Sequence, residues 1–110
     1  MRLIEKISGV YDALPLRSIK VPEWGVDVEV FYKPMTGLEY DTVREVVGSD
    51  ATGSRHNAQI VILKSLDNDG KRLFKNEDLE ALSSKGFLQT IGRVASAMTV
   101  VTSPEQIEKN

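Results

Sequence analysis

Cysteine is absent from this 110-residue chain, and histidine occurs only once, at His56. Without thiols there is no disulfide, no thiolate metal site and no cysteine nucleophile. A lone histidine without a paired nucleophile or metal-ligand spacing carries no mechanism, so His56 is interpreted as a surface or helix-start residue. Phosphate-binding glycine loops and hydrolase or zinc-protease motifs are also missing. The sequence therefore predicts no catalytic residue, no metal site and no cofactor.

Neither a basic block nor a long apolar run occurs in the sequence. The 14 lysines and arginines are interspersed with 16 acidic residues, for a net charge of −2, so no patch can neutralise nucleic-acid phosphates. The longest apolar run, Ile60–Leu63, is far shorter than a membrane span. Charges interrupt the apolar stretch of Met1–Ile7, unlike the core of a signal peptide. We therefore expect no nucleic-acid partner, no membrane partner and a location in the cytoplasm.

What is present is the composition of a globular domain, with 41% hydrophobic and 27% charged residues. Apolar residues at helical spacing predict a helix from Leu3 to about Leu14, where Pro15 ends it. Alternating apolar and polar residues on both sides of Val21–Gly25 predict a β-hairpin. Its second strand is predicted to begin at Val26, and its valine face to be buried under helices.

Helix signals occupy the middle of the chain. Thr36–Glu39 matches a capping box and predicts a helix that closes before Gly48. Small polar residues and glycines predict a loop over Gly48–Ser54. Residues 57–66 fit either a helix or a buried strand, and the helix is favoured because the segment is long and contains no turn signal. Asp67–Gly70 is predicted to form a tight turn, followed by a short extended piece.

The last third of the chain predicts two more helices. Asn76 is a good N-cap for a helix that stops near Gly86. The next helix has the cleanest apolar stripe, and Ser103–Pro104 can start one further turn. The stripe contains Phe87, Leu88, Ile91, Val94, Ala95, Met98 and Val101. The predicted fold is α+β, a small β-hairpin packed against four to five short α-helices in a single domain, residues 1–104, with a frayed tail over 105–110.

Asp67-Asn68-Asp69-Gly70 is similar to part of a calcium-binding loop. In an EF-hand loop the glycine is the sixth position, with an acidic ligand at the first and a glutamate at the twelfth. Counting from Gly70, those positions hold Ser65 and Asn76. Both of the strongest ligand positions fail, so a plain turn is the better interpretation and no metal is predicted.

Two aromatic residues near the hairpin turn are candidate contact residues. Phe31 falls on the charged face of the hairpin, out of step with the valines, and Trp24 is the only tryptophan. An aromatic side chain on a polar face can mark a partner contact. It can equally be covered by one of the helices, and the sequence leaves both interpretations open.

Three segments in order, Val21–Gly25 (VPEWG), Thr36–Asp41 (TGLEYD) and Leu66–Phe74 (LDNDGKRLF), make the chain resemble a phage protein family. The family is that of the tail assembly chaperones of long-tailed, siphovirus-like bacteriophages. The helix start Glu77–Leu82 (EDLEAL) continues the resemblance, which spans most of residues 1–104. Each motif alone is common among turns and caps, and it is the ordered set that carries the specificity.

The resemblance implies a non-enzymatic chaperone in the host bacterial cytoplasm that is absent from the mature virion. Its implied partners are the tape measure protein, which it holds, and the tail tube subunits, which it recruits. Contact with the client is expected through exposed apolar surface that includes Trp24, Phe31 and Phe74. Self-association is expected because many copies are needed along one tape measure. The alternative is a tail-completion or connector protein that stays in the virion.

Many members of this family also have a longer form made by programmed ribosomal frameshifting, and the extension binds the tail tube protein. The residues Glu108–Asn110 can be encoded by GAA-AAA-AAC, which contains the slippery heptamer A-AAA-AAC. Equally, these residues are ordinary for a polar terminus, so both interpretations stay open at the level of protein sequence.

Overall fold

The computed structural model describes residues 2–48 and 53–99. Within these ranges the chain forms five α-helices, a two-stranded antiparallel hairpin and two short 3₁₀ turns. In chain order the elements are α1 (Leu3–Ala13), β1 (Arg17–Lys20), a 3₁₀ turn (Pro22–Trp24), β2 (Glu29–Tyr32), α2 (Gly37–Val47), α3 (Gly53–Lys64), a second 3₁₀ turn (Asn76–Asp78), α4 (Leu79–Lys85) and α5 (Leu88–Thr99). The predicted α+β class is confirmed, and none of the described helices is long and apolar enough to cross a membrane.

The hairpin buries one face, as its alternating pattern predicts. Its register places Arg17 opposite Tyr32 and Ile19 opposite Val30. Tyr32 and Val30 are buried, and Val21, which follows β1, is fully buried as well. These side chains contribute to the main hydrophobic core, so the hairpin is stabilised by the helices beneath it.

The predicted start of the second strand at Val26 is wrong. Val26 is 93% exposed, and β2 begins only at Glu29. The reversal takes more residues than a tight turn because the 3₁₀ turn is followed by a second one, in which the Val28 N–H donates to the Gly25 carbonyl at 3.2 Å. Gly25 has φ +147°, a conformation that L-residues with a side chain rarely adopt.

The central helix of the molecule is α3, which packs against α2, α4 and α5. The helix favoured for residues 57–66 is confirmed up to Lys64. Five consecutive residues, 58–62, are buried, because α3 is covered on nearly all sides. This all-round burial explains why its apolar run also fits a buried strand. Leu66 lies beyond the helix and pairs with Phe31 of β2.

The capping box predicted at Thr36–Glu39 is present at the start of α2. The Glu39 N–H donates to the Thr36 hydroxyl at 3.2 Å, and the Thr36 N–H donates to Glu39 Oε1 at 2.9 Å. α2 ends before Gly48, as predicted. The predicted loop ends too late, since Gly53 and Ser54 already belong to α3, and residues 49–52 lie outside the described ranges.

The prediction that Asn76 caps the next helix is wrong. The chain enters α4 through the 3₁₀ turn Asn76–Asp78, and the Asp78 carboxylate accepts from the Lys75 N–H at 2.8 Å. The Asn76 amide oxygen instead accepts from Arg72 at 3.3 Å. Because Asp78 reaches back to the Lys75 N–H, Lys75 is the cap of the 3₁₀ turn, and Asp78 is the N-cap position of α4 itself. The predicted stop near Gly86 is confirmed, as α4 ends at Lys85.

The apolar stripe predicted for the last helix is buried only in its middle. Ile91, Val94, Ala95 and Met98 are buried in α5. Phe87 and Leu88 are exposed, and Phe87 precedes the helix. The prediction that they belong to the buried stripe is therefore wrong. Val101, the predicted turn at Ser103–Pro104, the domain boundary and the predicted frayed tail lie outside the described residues.

The predicted N-terminal helix is present as α1, and none of its residues is buried. It ends at Ala13, before Pro15, as predicted. Lys33 lies over the Tyr11 ring, with Nζ 4.8 Å from the ring centroid, and donates to the Tyr11 carbonyl at 3.4 Å. The helix therefore rests on the hairpin side of the molecule with its apolar residues facing outward.

Candidate functional site

The hairpin turn is held against α5 by the carboxylate of Glu23. Arg93 Nη2 lies 2.8 Å from both carboxylate oxygens, and Arg93 Nη1 donates to the Lys20 carbonyl at 3.2 Å. The Thr90 hydroxyl also donates to Glu23, at 3.2 Å. The Arg93 hydrogen bond is the main reason that the pKa of Glu23 lies below its usual value, since it favours the charged form. The turn, and with it Trp24, therefore has a defined position.

Trp24 and Phe74 meet although they are distant in sequence. Their ring centroids lie 6.3 Å apart with an interplanar angle of 80°, an edge-to-face arrangement. Both side chains are half-buried and pack against the core. Thus the first and third segments that carry the resemblance come together in space.

Backbone hydrogen bonds position the third segment, Leu66–Phe74, so that Phe74 contacts Trp24. Leu66 exchanges hydrogen bonds of 2.8 and 2.9 Å with Phe31 of β2. The predicted turn at Asp67–Gly70 is confirmed by a 3.0 Å hydrogen bond from the Gly70 N–H to the Asp67 carbonyl. The Leu73 N–H then donates to the Ser65 carbonyl at 3.1 Å, and Phe74 follows it into contact with Trp24.

Around these two rings lies an open apolar groove of about 620 Å³ between the hairpin turn and α4. We call it the Trp24 groove. Its lining consists of Trp24, Val28, Val30, Leu73, Phe74, Asp78, Ala81, Leu82, Lys85 and Gly86. Asp78 and Lys85 are the charged members of this lining, and the remainder is apolar. Such a surface can bind an apolar side chain or helix face, and it offers little for recognising a polar ligand.

Phe31 does not line the Trp24 groove. Its side chain is half-buried, and its backbone pairs with Ser18 on one side and Leu66 on the other. The structure thus brings together two of the three candidate contact residues, Trp24 and Phe74. Phe31 lies in β2, between β1 and the isolated bridge that its backbone makes with Leu66.

Val28, Leu73 and Leu82 are groove residues that the sequence does not single out. The helical spacing of Leu79 and Leu82 places both in one stripe, yet Leu79 is buried while Leu82 is half-exposed in the groove. An apolar stripe indicates which side of a helix faces the core. It does not show how far neighbouring elements cover that side. The sequence signal that could have identified these groove residues is the cluster of apolar residues on both sides of the turn that contains Trp24.

Asp67 and His56, the other residues considered for metal binding or catalysis, have ordinary structural roles. Asp67 Oδ1 accepts from the Asp69 and Lys71 N–H groups at 2.8 and 2.9 Å, within the turn. His56 lies in the first turn of α3, as its helix-start interpretation predicts, with its ring 5.4 Å from that of Tyr40. Over residues 2–48 and 53–99, no three histidine or acidic side chains are grouped as metal ligands would be.

Comparisons of this chain with known protein families, with curated proteins and with solved structures find no match.

Proposed function

We propose that this protein is a phage tail assembly chaperone that holds the tape measure protein by binding its apolar helical segments in the Trp24 groove. The single observation that carries the proposal is the open apolar groove. Its apolar lining can bind an apolar surface and does not select for polar groups. The client is a long helical protein with apolar faces, and such faces bind in apolar grooves.

The segments that carry the resemblance support this assignment by their positions. Trp24 belongs to the first segment and Phe74 to the third, and both line the groove. Glu23 anchors the first segment to α5, and Thr36 of the second segment caps α2. Residues of the first and third segments therefore form or anchor the groove, and the second segment caps α2, which lies outside the groove lining.

A groove of this size suits weak and repeated binding. It spans two turns of α4, so one copy covers only a short piece of a long helix. Many copies along one client keep it covered through the sum of weak contacts, and each copy still leaves quickly when the tube polymerises. In this proposal, recruitment of tail tube subunits belongs to a longer, frameshifted form of the chain.

Co-expression with the tape measure protein tests the proposal. The wild-type chain is expected to keep the client soluble, and Leu82→Lys, which places a charge in the apolar groove, is expected to lose most of this effect. Phe87→Ala is the matched control, since Phe87 is exposed and apolar but lies outside the groove lining. It is expected to behave like wild type, and circular dichroism checks that both variants are folded.

Two outcomes would contradict the proposal. One is a client that stays insoluble with the wild-type chain or stays equally soluble with Leu82→Lys. The other is abundant protein in purified virions, detected by mass spectrometry, because a holding chaperone leaves before the tail is complete. That second result would favour a structural tail protein instead.

A further inference from the structure

The side of α4 that lines the Trp24 groove has an acidic residue at one end and a basic residue at the other. The groove lining includes Asp78, Ala81, Leu82 and Lys85. Counted from Asp78, a spacing of three, four and seven positions places these residues on one face of a helix. Asp78 holds the N-cap position of α4 and Lys85 is its last residue, so they lie about 10 Å apart along the axis. The apolar part of this face is thus bounded by charges of opposite sign.

Within residues 2–48 and 53–99, neither of these two charges has an ion-pair partner. Lys85 is exposed and Asp78 is half-buried. The Asp78 carboxylate accepts a hydrogen bond of 2.8 Å from the Lys75 backbone N–H, through one of its two oxygens. Both charges also suit the dipole of α4, so their effect on binding has to be measured separately from stability. Each can meet a charged group on a helix that enters the groove.

A helix lying along α4 presents its own contacting face with the same spacing. When an apolar pair of this helix packs on Ala81 and Leu82, the positions that flank the pair lie opposite Asp78 and Lys85. A basic residue is favoured opposite Asp78 and an acidic residue opposite Lys85. A like charge at either position is disfavoured, because the two charges approach beside an apolar surface that screens them poorly. The apolar lining therefore supplies affinity, and the two charges supply selectivity.

We propose that the Trp24 groove selects amphipathic helical segments whose apolar face is bounded by one basic and one acidic residue, seven positions apart. This inference rests on the proposed function and deepens it, because it names the kind of client segment that the groove binds. The order of the two charges also fixes the direction of the bound segment. A segment whose basic residue comes first runs parallel to α4, and one whose acidic residue comes first runs antiparallel.

Four synthetic helical peptides test the selection. They share one apolar face and differ only in the two flanking residues, which are lysine and glutamate, two lysines, two glutamates or two glutamines. The fluorescence anisotropy of dye-labelled peptides gives their dissociation constants at low salt. The lysine–glutamate peptide is expected to bind about three- to ten-fold more tightly than either like-charged peptide. This difference is expected to shrink as added salt screens the charges.

Variants of the two charged residues test whether they cause the selection. Lys85→Glu is expected to bind the two-lysine peptide most tightly, because both ends of the groove are then acidic. Asp78→Asn keeps an oxygen acceptor for the Lys75 N–H and is expected to discriminate less against the two-glutamate peptide. Lys6→Glu is the matched control, since Lys6 is exposed on α1 and lies outside the groove lining. It changes the net charge equally and is expected to keep the wild-type order of affinities. Circular dichroism establishes that each variant is folded.

The absence of cysteine from the chain makes the direction of the bound segment measurable. Glu77→Cys and Ser84→Cys place a single thiol at exposed positions beside Asp78 and Lys85, respectively. The lysine–glutamate peptide is made with a cysteine at its basic end or at its acidic end, and disulfide formation is followed in a glutathione buffer. Glu77→Cys is expected to capture the basic end preferentially, and Ser84→Cys the acidic end.

Equal binding of the four peptides, an unchanged order of affinities in Lys85→Glu, or capture without a preferred end would overturn this inference. Each of these results leaves the proposed function in place, because the groove still binds an apolar helix face. Failure of the wild-type chain to bind any of the four peptides would overturn the inference together with the proposed function.

Discussion

At the level of single residues, the ion pair between Lys64 and Glu39 is largely withdrawn from water. Lys64 is only 5% exposed, and its Nζ lies 2.8 Å from both carboxylate oxygens of Glu39, which is 28% exposed. The same carboxylate accepts from the N–H of Thr36. Glu39 thus completes the α2 cap and neutralises a cation on α3, so it connects two helices of the core.

Glu39→Gln is expected to lower the free energy of unfolding by about 2–3 kcal/mol, because the Lys64 ammonium is left buried without its counter-charge. Because Glu39 is partly exposed, this loss of stability lies at the low end of the range for breaking a buried ion pair. Urea unfolding at neutral pH measures it. Glu80→Gln, at the exposed Arg55–Glu80 pair, is the control and is expected to lower it by less than about 1 kcal/mol. Equal losses in the two variants would contradict this account.

Glu23 makes stability depend on pH in the acid range. Its pKa is lowered in the folded protein from an ordinary value of 4.5, so below that value the unfolded chain binds the proton first and stability falls as pH falls. Above pH 4.5 the contribution is fully present. Glu23→Gln is therefore expected to show a weaker decrease of stability with acid than wild type. Urea unfolding from about pH 6 to about pH 3 measures it.

The control for this measurement is Glu77→Gln, which removes an exposed carboxylate from the 3₁₀ turn before α4. Its acid dependence is expected to follow that of wild type. Wild-type and Glu23→Gln curves of equal slope below pH 4.5 would show that the Arg93 contact does not persist in solution.

Among the elements, the junction of α4 and α5 has the tightest glycine. A Cβ at Gly86 would lie 2.7 Å from the Leu82 carbonyl oxygen and 2.7 Å from Ile91 Cδ1. Gly86→Ala is therefore expected to reduce stability by about 1–3 kcal/mol through overpacking. Gly92, inside α5, has nothing within 4 Å of such a Cβ. Gly92→Ala is expected to increase stability by about 0.5–1 kcal/mol, since alanine favours the helix.

Thermal unfolding of the two alanine variants measures this difference, with shifts of opposite sign in Tm expected. The pair serves as its own control, because both changes add one methyl group to the same part of the molecule. A neutral Gly86→Ala would mean that α4 and α5 separate easily at this junction.

The start of α2 was predictable from the sequence, and two other element boundaries were not. The α2 cap depends on Thr36 and Glu39, three residues apart, and it forms as predicted. The cap before α4 was misplaced, because Lys75 precedes the 3₁₀ turn and Asn76, the first residue of that turn, hydrogen-bonds to Arg72. The start of β2 was misplaced because the reversal after Trp24 contains two turns. In each wrong case a hydrogen bond between residues three or four apart, which the apolar pattern does not specify, accompanies the different conformation.

At the scale of the whole molecule, burial is the quantity that sequence patterns describe least well. The helical spacing of Leu3, Ile7 and Val10 is that of a core-facing helix, yet these residues are exposed. Lys64 follows an apolar run and is nonetheless buried, paired with the partly exposed Glu39. Trp24, Phe31 and Phe74 were expected together as contact residues, and only the fold shows that Trp24 and Phe74 share one groove while Phe31 lies outside it. Which faces meet depends on the arrangement of all the elements.

The position of Trp24 has a practical consequence for measurements in solution. It is the only tryptophan in the chain, and its ring lines the groove that the proposed client would enter. Its fluorescence therefore reports on this one surface without any attached dye. A shift of emission to shorter wavelength records loss of water from the ring when a helix enters. The same signal, followed against added client, therefore measures occupation of the groove in a single titration.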